Sequence, residues 1–148
     1  MRDALRADYP HFLSIATRWM DNDAYQHVNN VVYYSYFDTA VNQFLISRGV
    51  LDIHTDRTVG LVVDSGCSYF SSISFPDIAH VGLRVAKLGN SSVRYELALF
   101  RNDETAPAAA GHFVHVYVDR DSNRPVAIPE PVRALLTTIV RAAVQANT

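Results

Sequence analysis

The sequence predicts an α+β fold, an antiparallel sheet wrapped around one long central helix and closed by a C-terminal helix. Three observations carry this. Residues 31–48 place Tyr33, Phe37, Ala40, Val41, Phe44 and Leu45 at helical spacing, with Asn29 and Asn30 in front as caps and Gly49 behind as a stop. Residues 58–120 are runs of alternating apolar and polar side chains separated by short turns, which is the signature of antiparallel strands. After Pro129 and Pro131, tolerated in a first turn, Val132, Leu135, Leu136, Ile139, Val140 and Ala143 form one apolar stripe.

Taken in order, residues 1–11 are charged, carry Pro10 and read as an irregular arm. Phe12–Trp19 reads as a first strand, and Asp21–Asn30 as a polar loop. The helix that follows carries Val32, Tyr36 and Ile46 beyond its main stripe, so burial on most sides is expected. Val59–Val63 is a short apolar run, and Cys67–Phe70 resumes it after Gly66. Val81, Leu83 and Val85 alternate, then Val93, Tyr95, Leu97 and Leu99, then Val114, Val116 and Val118. Turns at Gly89-Asn90, Asn102–Pro107 and Asp121–Pro125 separate these runs. Such a sheet has edges and one open face, which predicts a homodimer or homotetramer.

Length and composition narrow the function. A chain of 148 residues suits one domain spanning 1–148, and 49% apolar content argues against disorder. A net charge of −2 gives no basic excess for nucleic acid. The lone Cys67 excludes an internal disulfide and suits a reducing compartment. No signal-peptide core is visible, nor a run of about 18 apolar residues to cross a membrane, so a soluble cytoplasmic protein is expected.

Several words of the sequence then fall into a known order. They are Arg18-Trp19-Met20-Asp21-Asn22-Asp23, His27-Val28-Asn29-Asn30, and the aromatic Tyr33, Tyr36 and Phe37. Tyr69 with Ile73–Asp77, the turn Leu88–Val93, and Arg124-Pro125 through Ile128-Pro129 follow. Over residues 12–136 the chain resembles the hotdog-fold acyl-CoA thioesterases of the 4-hydroxybenzoyl-CoA thioesterase-like family. It departs at Gln26, where the family has glycine before the histidine.

The resemblance implies hydrolysis of an acyl or aryl thioester to CoA and a carboxylic acid, with no metal and no organic cofactor. Asp23 would be the working carboxylate, as nucleophile or as general base, and the backbone N–H near Asn30 would polarise the carbonyl. From the residues alone, Asp23 better suits a turn or helix cap. His27 would orient the carboxylate or water, or serve as a structural loop histidine. Asp21 reads as structural, paired with Arg18. An Asp-x-Asp pair can hold a divalent cation, but no complete ligand set accompanies it. Asp38, on the helix, reads as an outward polar position.

For coenzyme A the candidates are Lys87, Gly89, Asn90, Ser91 and Ser92, whose small residues let a pantetheine arm approach, with Asn29 and Tyr33 nearer the acyl group. Arg84 and Arg94 are secondary phosphate candidates, and the family commonly builds each site from two subunits. The partner expected is an acyl-CoA or acyl-carrier-protein thioester. The alternatives are a non-catalytic acyl-CoA or carrier-protein binding module on the same fold, and a hydroxyacyl-thioester dehydratase using Asp23 with His27.

Overall fold

The computed structural model describes residues 4–141. Its elements are β1 (His11–Ala16), α1 (Asn30–Ser47), β2 (Thr58–Tyr69), β3 (Ile78–Leu88), β4 (Ser92–Arg101), β5 (Ala109–Asp119) and α2 (Glu130–Thr137), with short 3₁₀ turns at Arg6–Asp8 and Trp19–Asp21. The five strands form one sheet in the order β1-β3-β4-β5-β2, antiparallel at every step. This is the hotdog arrangement expected, with α1 held in the curve of the sheet.

Helix α1 forms where its ends are satisfied. The Asn29 side chain accepts a hydrogen bond from the Val31 N–H at 3.1 Å. At the other end Gly49 takes a φ of +74°, its N–H reaching Ile46 O, while Val50 N–H returns to Leu45 O. Between these caps Phe37, Ala40, Val41 and Phe44 lose essentially all exposure against Val81, Leu83, Leu97 and Leu99 of the sheet. Each such large side chain contributes about 1.5–3 kcal/mol by burial. The helix sits close because β5 offers Gly111 beneath it. A Cβ there would lie 2.9 Å from the Phe37 ring and 2.5 Å from the Gly66 carbonyl oxygen.

The other sheet face is covered by the N-terminal segment, through Tyr9 packed with Ala98, Phe100 and Ala110. Arg84 is buried there. Its Nε donates to Glu96 at 2.9 Å and its guanidinium stacks over the Tyr9 ring, while Arg141 adds a second cation to Glu96 at 3.2 Å. Arg84 is therefore a structural residue and not the phosphate contact considered above.

β2 continues through Gly66 as expected, from Thr58 to Tyr69 with a register shift between Val62 and Asp64, and Gly66 makes room for the His112 ring, 2.7 Å from where a Cβ would stand. Two expectations need correction. α2 stops at Thr137, although the apolar stripe continues. The Thr137 and Thr138 hydroxyls donate back to Arg133 O and Leu135 O, and the β-branched run Thr137–Val140 disfavours helix. Val85 instead pairs with this segment, donating to Ile139 O and accepting from Arg141 N–H. Ala143 lies outside the described residues. Finally, α1 is buried on one side only: Val31 and Ile46 are exposed. So are Leu61, Val62 and Val63 on β2, an edge strand. Among the described residues no helix is long and apolar enough to cross a membrane.

Candidate active site

The site begins with a buried carboxylate held entirely by other side chains and the backbone. Asp21 is 1% exposed. It accepts the Arg18 backbone N–H at 2.8 Å, Arg18 Nε at 3.0 Å, a second guanidinium nitrogen at 2.9 Å and the Tyr36 hydroxyl at 2.7 Å. Burial pushes its pKa upward, but the hydrogen bonds from Arg18 and Tyr36 outweigh this and hold it below the usual carboxylate range. Tyr36 is driven the other way, by burial and by donating to Asp21. The Asp21 carbonyl accepts the Asn29 N–H at 2.9 Å, so the same residue closes the loop onto the start of α1.

Asp23 lies inside the loop thus closed. Its Oδ1 accepts the Tyr25 N–H at 2.8 Å, and its backbone exchanges bonds with His27 O at 2.8 Å and Gln26 N–H at 3.0 Å. Its Oδ2 accepts no hydrogen bond from the described residues. Gln26, standing at the family's glycine position, adopts the left-handed φ of +67° that glycine enters freely. Its carbonyl accepts the Ser74 hydroxyl at 2.8 Å. Val28 N–H donates to Ile73 O, and Phe75 N–H to Asn22 Oδ1, so the loop is pinned along one side to residues 73–75.

A cavity of about 410 Å³ opens beside it, lined by Asp23, His27, Val28, Asn30 and Tyr33 and, from the end of β2, by Tyr69, Phe70, Ser71 and Ser72. Asn30 is the first helical residue, and its N–H finds no partner among the described residues. Tyr69 closes over the helix start, its hydroxyl donating to Asn30 O at 3.3 Å and its ring meeting Tyr33 edge-on at 5.0 Å. Burial raises the Tyr69 pKa further above the phenol range.

The structure thus unites Asp23, His27, Asn30 and Tyr33 of the expected residues. His27 touches Asp23 through its main chain, not its ring. Asn29 serves as the helix cap. Asp38 is exposed on α1, its carboxylate accepting from Asn42 at 3.2 Å. Among the described residues no group of three or more acidic, histidine or cysteine side chains is placed to hold a metal ion. Tyr69 and Phe70 are aromatic residues that the sequence already offers, with Tyr33, as lining for an acyl or aryl slot, whereas Ser71 and Ser72, some forty positions downstream of the Asp23 loop, carry no such signal.

The turn Lys87–Ser92 stands elsewhere. Tyr69 pairs with Ala109, whereas Gly60 pairs with Tyr117, whose N–H donates to Ser91 O. Eight residues of β5 separate these ends, roughly 26 Å at strand rise. Gly89 and Asn90 carbonyls are engaged by Arg133 at 2.6 and 3.1 Å. Within one chain the turn and Asp23 do not meet.

Chemically, the Asp23 cavity offers a carboxylate oxygen and a helix N-terminal N–H that both lack a partner among the described residues. That combination suits addition to an activated carbonyl carbon whose oxygen rests on the N–H.

Comparison with known proteins bears on the family and the fold. The family described as the thioesterase-like superfamily matches residues 17–136. The crystal structure of the PA5185 protein from Pseudomonas aeruginosa is 56% identical, superposes with a TM-score of 0.92 and covers 95% of this chain and 99% of that one. A thioesterase from Thermus thermophilus, solved with coenzyme A and zinc, is 30% identical at a TM-score of 0.73, covering 89% and 95%. A thioesterase superfamily structure from Jannaschia sp. CCS1 is 26% identical at a TM-score of 0.81, covering 93% and 88%.

Proposed function

The chain belongs to the thioesterase-like superfamily, and we propose on that footing that it hydrolyses an acyl-CoA thioester to coenzyme A and a carboxylic acid. The observation that carries this is the unpartnered Asp23 Oδ2 in a cavity that also holds the Asn30 N–H. The substrate carbonyl oxygen rests on that N–H, where negative charge develops. Asp23 then takes a proton from water as the water oxygen bonds to the carbonyl carbon, or bonds to that carbon itself and is released by water afterwards. In both routes the C–S bond breaks, the sulfur leaves as thiolate and gains a proton from the medium.

The distant turn enters through a second chain. β2 is a sheet edge with exposed Leu61, Val62 and Val63, a template for antiparallel pairing with its own copy. Pairing over its whole length sets the Tyr69 end of one strand beside the Thr58 end of the other. The partner's Lys87–Ser92 turn then approaches the Asp23 cavity and is available to the coenzyme A moiety. The Thermus thermophilus structure solved with coenzyme A supports that class of ligand.

The test is thiol release from short, medium, long and aryl acyl-CoAs, with the parent and Asp23→Asn side by side. Turnover that falls at least tenfold in Asp23→Asn, with unchanged folding and oligomer size, is the expected result. Activity within a factor of two of the parent would remove Asp23 from the reaction. No turnover on the whole panel, with coenzyme A still bound, would favour a binding module.

A further inference from the structure

The Asn30 N–H is a single donor, and stabilisation of a developing oxyanion grows with each further donor aimed at it. The Asp23 cavity carries a hydroxyl beside that residue. Tyr69 lines the cavity together with Asp23 and Asn30. His27, Ser71 and Ser72 line it too, but among the described residues Tyr69 is the one side chain whose hydrogen bond reaches Asn30.

The Tyr69 hydroxyl is fixed in place and loosely committed. Its bond to Asn30 O is 3.3 Å long, against about 2.7–2.8 Å for an ordinary O–H···O bond. Asn30 opens α1, and its carbonyl has the helix ladder to serve, so it does not depend on the phenol. The ring itself is held. Tyr69 pairs with Ala109 at the end of β2, and its ring meets Tyr33 edge-on at 5.0 Å. Burial, and after it the neighbouring Cys67, push the phenol pKa further up, so Tyr69 keeps its proton and remains a donor. Rotation of the hydrogen about the C–O bond redirects it without moving the ring.

Within the thioester reading, on which this rests, we propose that the Tyr69 hydroxyl is a second donor to the carbonyl oxygen of the substrate. It leaves its long bond to Asn30 O and shares the thioester oxygen with the Asn30 N–H. No proton is transferred. As the nucleophile bonds to the carbonyl carbon, the C=O electron pair moves onto the oxygen, and both hydrogen bonds strengthen toward a charged acceptor. When the C–S bond breaks, that pair returns to form the carbonyl of the acyl product. The sulfur needs no such donor, because a thiol with a pKa of about 8.5 leaves as thiolate.

Acetyl-CoA and benzoyl-CoA are the probes. Tyr69→Phe keeps the ring and its contact with Tyr33, and a thermal melt with sedimentation checks fold and assembly. Thiol release should show kcat lowered about a hundredfold, the effect of losing one oxyanion donor, with KM within about threefold of the parent. A second readout needs no turnover. A probe bound to Asp23→Asn should show its thioester C=O stretch below that of the free thioester, and adding Tyr69→Phe should move it back up. Should Tyr69→Phe fail the melt, Tyr69→3-fluorotyrosine decides: its more acidic phenol is the stronger donor and should lower the stretch of the bound probe further. An unmoved stretch, or a Tyr69→Phe effect confined to KM, overturns the proposal. Turnover that Asp23→Asn loses and Tyr69→Phe retains removes this donor and leaves the hydrolase reading standing; neither turnover nor binding of either probe removes both.

Discussion

Tyr36→Phe removes one oxygen and isolates the anchor of the loop. The Tyr36 hydroxyl donates to Asp21 Oδ2 at 2.7 Å in a buried setting, and Asp21 keeps its three bonds from Arg18 after the change. A hydrogen bond to a charged group contributes about 1.5–3 kcal/mol. The ring stays, so no cavity cost is added. For a chain of this size the melting temperature should drop by about 3–12 °C. Urea unfolding gives the free energy directly, and a change under about 0.5 kcal/mol would refute the reasoning, because it would mean that Asp21 does not depend on Tyr36. A second arm uses pH. The folded Asp21 carboxyl titrates below its ordinary value of 3.8, so its contribution is fully present above that value and is lost as pH falls through the lower folded one. Asp21→Asn removes the titrating group, so its stability should fall less steeply than the parent's over this acid range. Parallel acid profiles would show that Asp21 is not among the groups that set the acid limit.

Three further outcomes follow from the geometry. Gly111→Ala drives a methyl into the Gly66 carbonyl and the Phe37 ring and should cost about 1–3 kcal/mol in urea unfolding; parent-like stability would show that α1 does not depend on this close approach. Gln26→Gly relieves a left-handed residue, worth about 1–2 kcal/mol, against about 0.5–1 kcal/mol of added chain entropy. The variant should be as stable as the parent or slightly more so, and a loss above about 1 kcal/mol would reveal a contact made by the Gln26 side chain. Val62→Lys puts a charge on the open edge of β2 and should shift sedimentation toward monomer while thioester turnover collapses; an unchanged oligomer would place the interface elsewhere.

Most of this architecture is legible because local signals agree with the global fold. Asn29 and Gly49 mark the ends of α1 by chemistry that needs no tertiary partner, and Phe37, Ala40, Val41 and Phe44 mark its buried side. Legibility fails where a residue answers to something distant. The need for glycine at position 66 is one such case: the space it leaves is taken by the His112 ring of the neighbouring strand. The stripe past Thr137 reads as helix, but Val85 takes those backbone groups into a bridge. Asp23, His27, Asn30 and Tyr33 fall in one short stretch, so a motif captures them together. Tyr69, Ser71 and Ser72 join them through the pairing of β2 with β5, which no local pattern encodes. His27 meets Asp23 through its main chain and also lines the cavity, an arrangement that the residue type alone does not specify.

The separation of Asp23 from the Lys87–Ser92 turn has a physical consequence for where hydrolysis can occur. In the proposed reaction the Asn30 N–H is the oxyanion donor, and such a donor gains its strength where water is excluded and the effective dielectric is low. In a single chain the Asp23 cavity is open: Tyr69 is 44% exposed and Val31, next to Asn30, is 68% exposed. Tyr69 ends the same edge strand on which Leu61–Val63 are exposed. One event, pairing of β2 with its copy, would cover the edge, dry the helix start and bring in the turn from the partner. The edge and the open cavity are then two aspects of one requirement, and the loss of pairing should reduce turnover even in a variant whose Asp23 loop is intact.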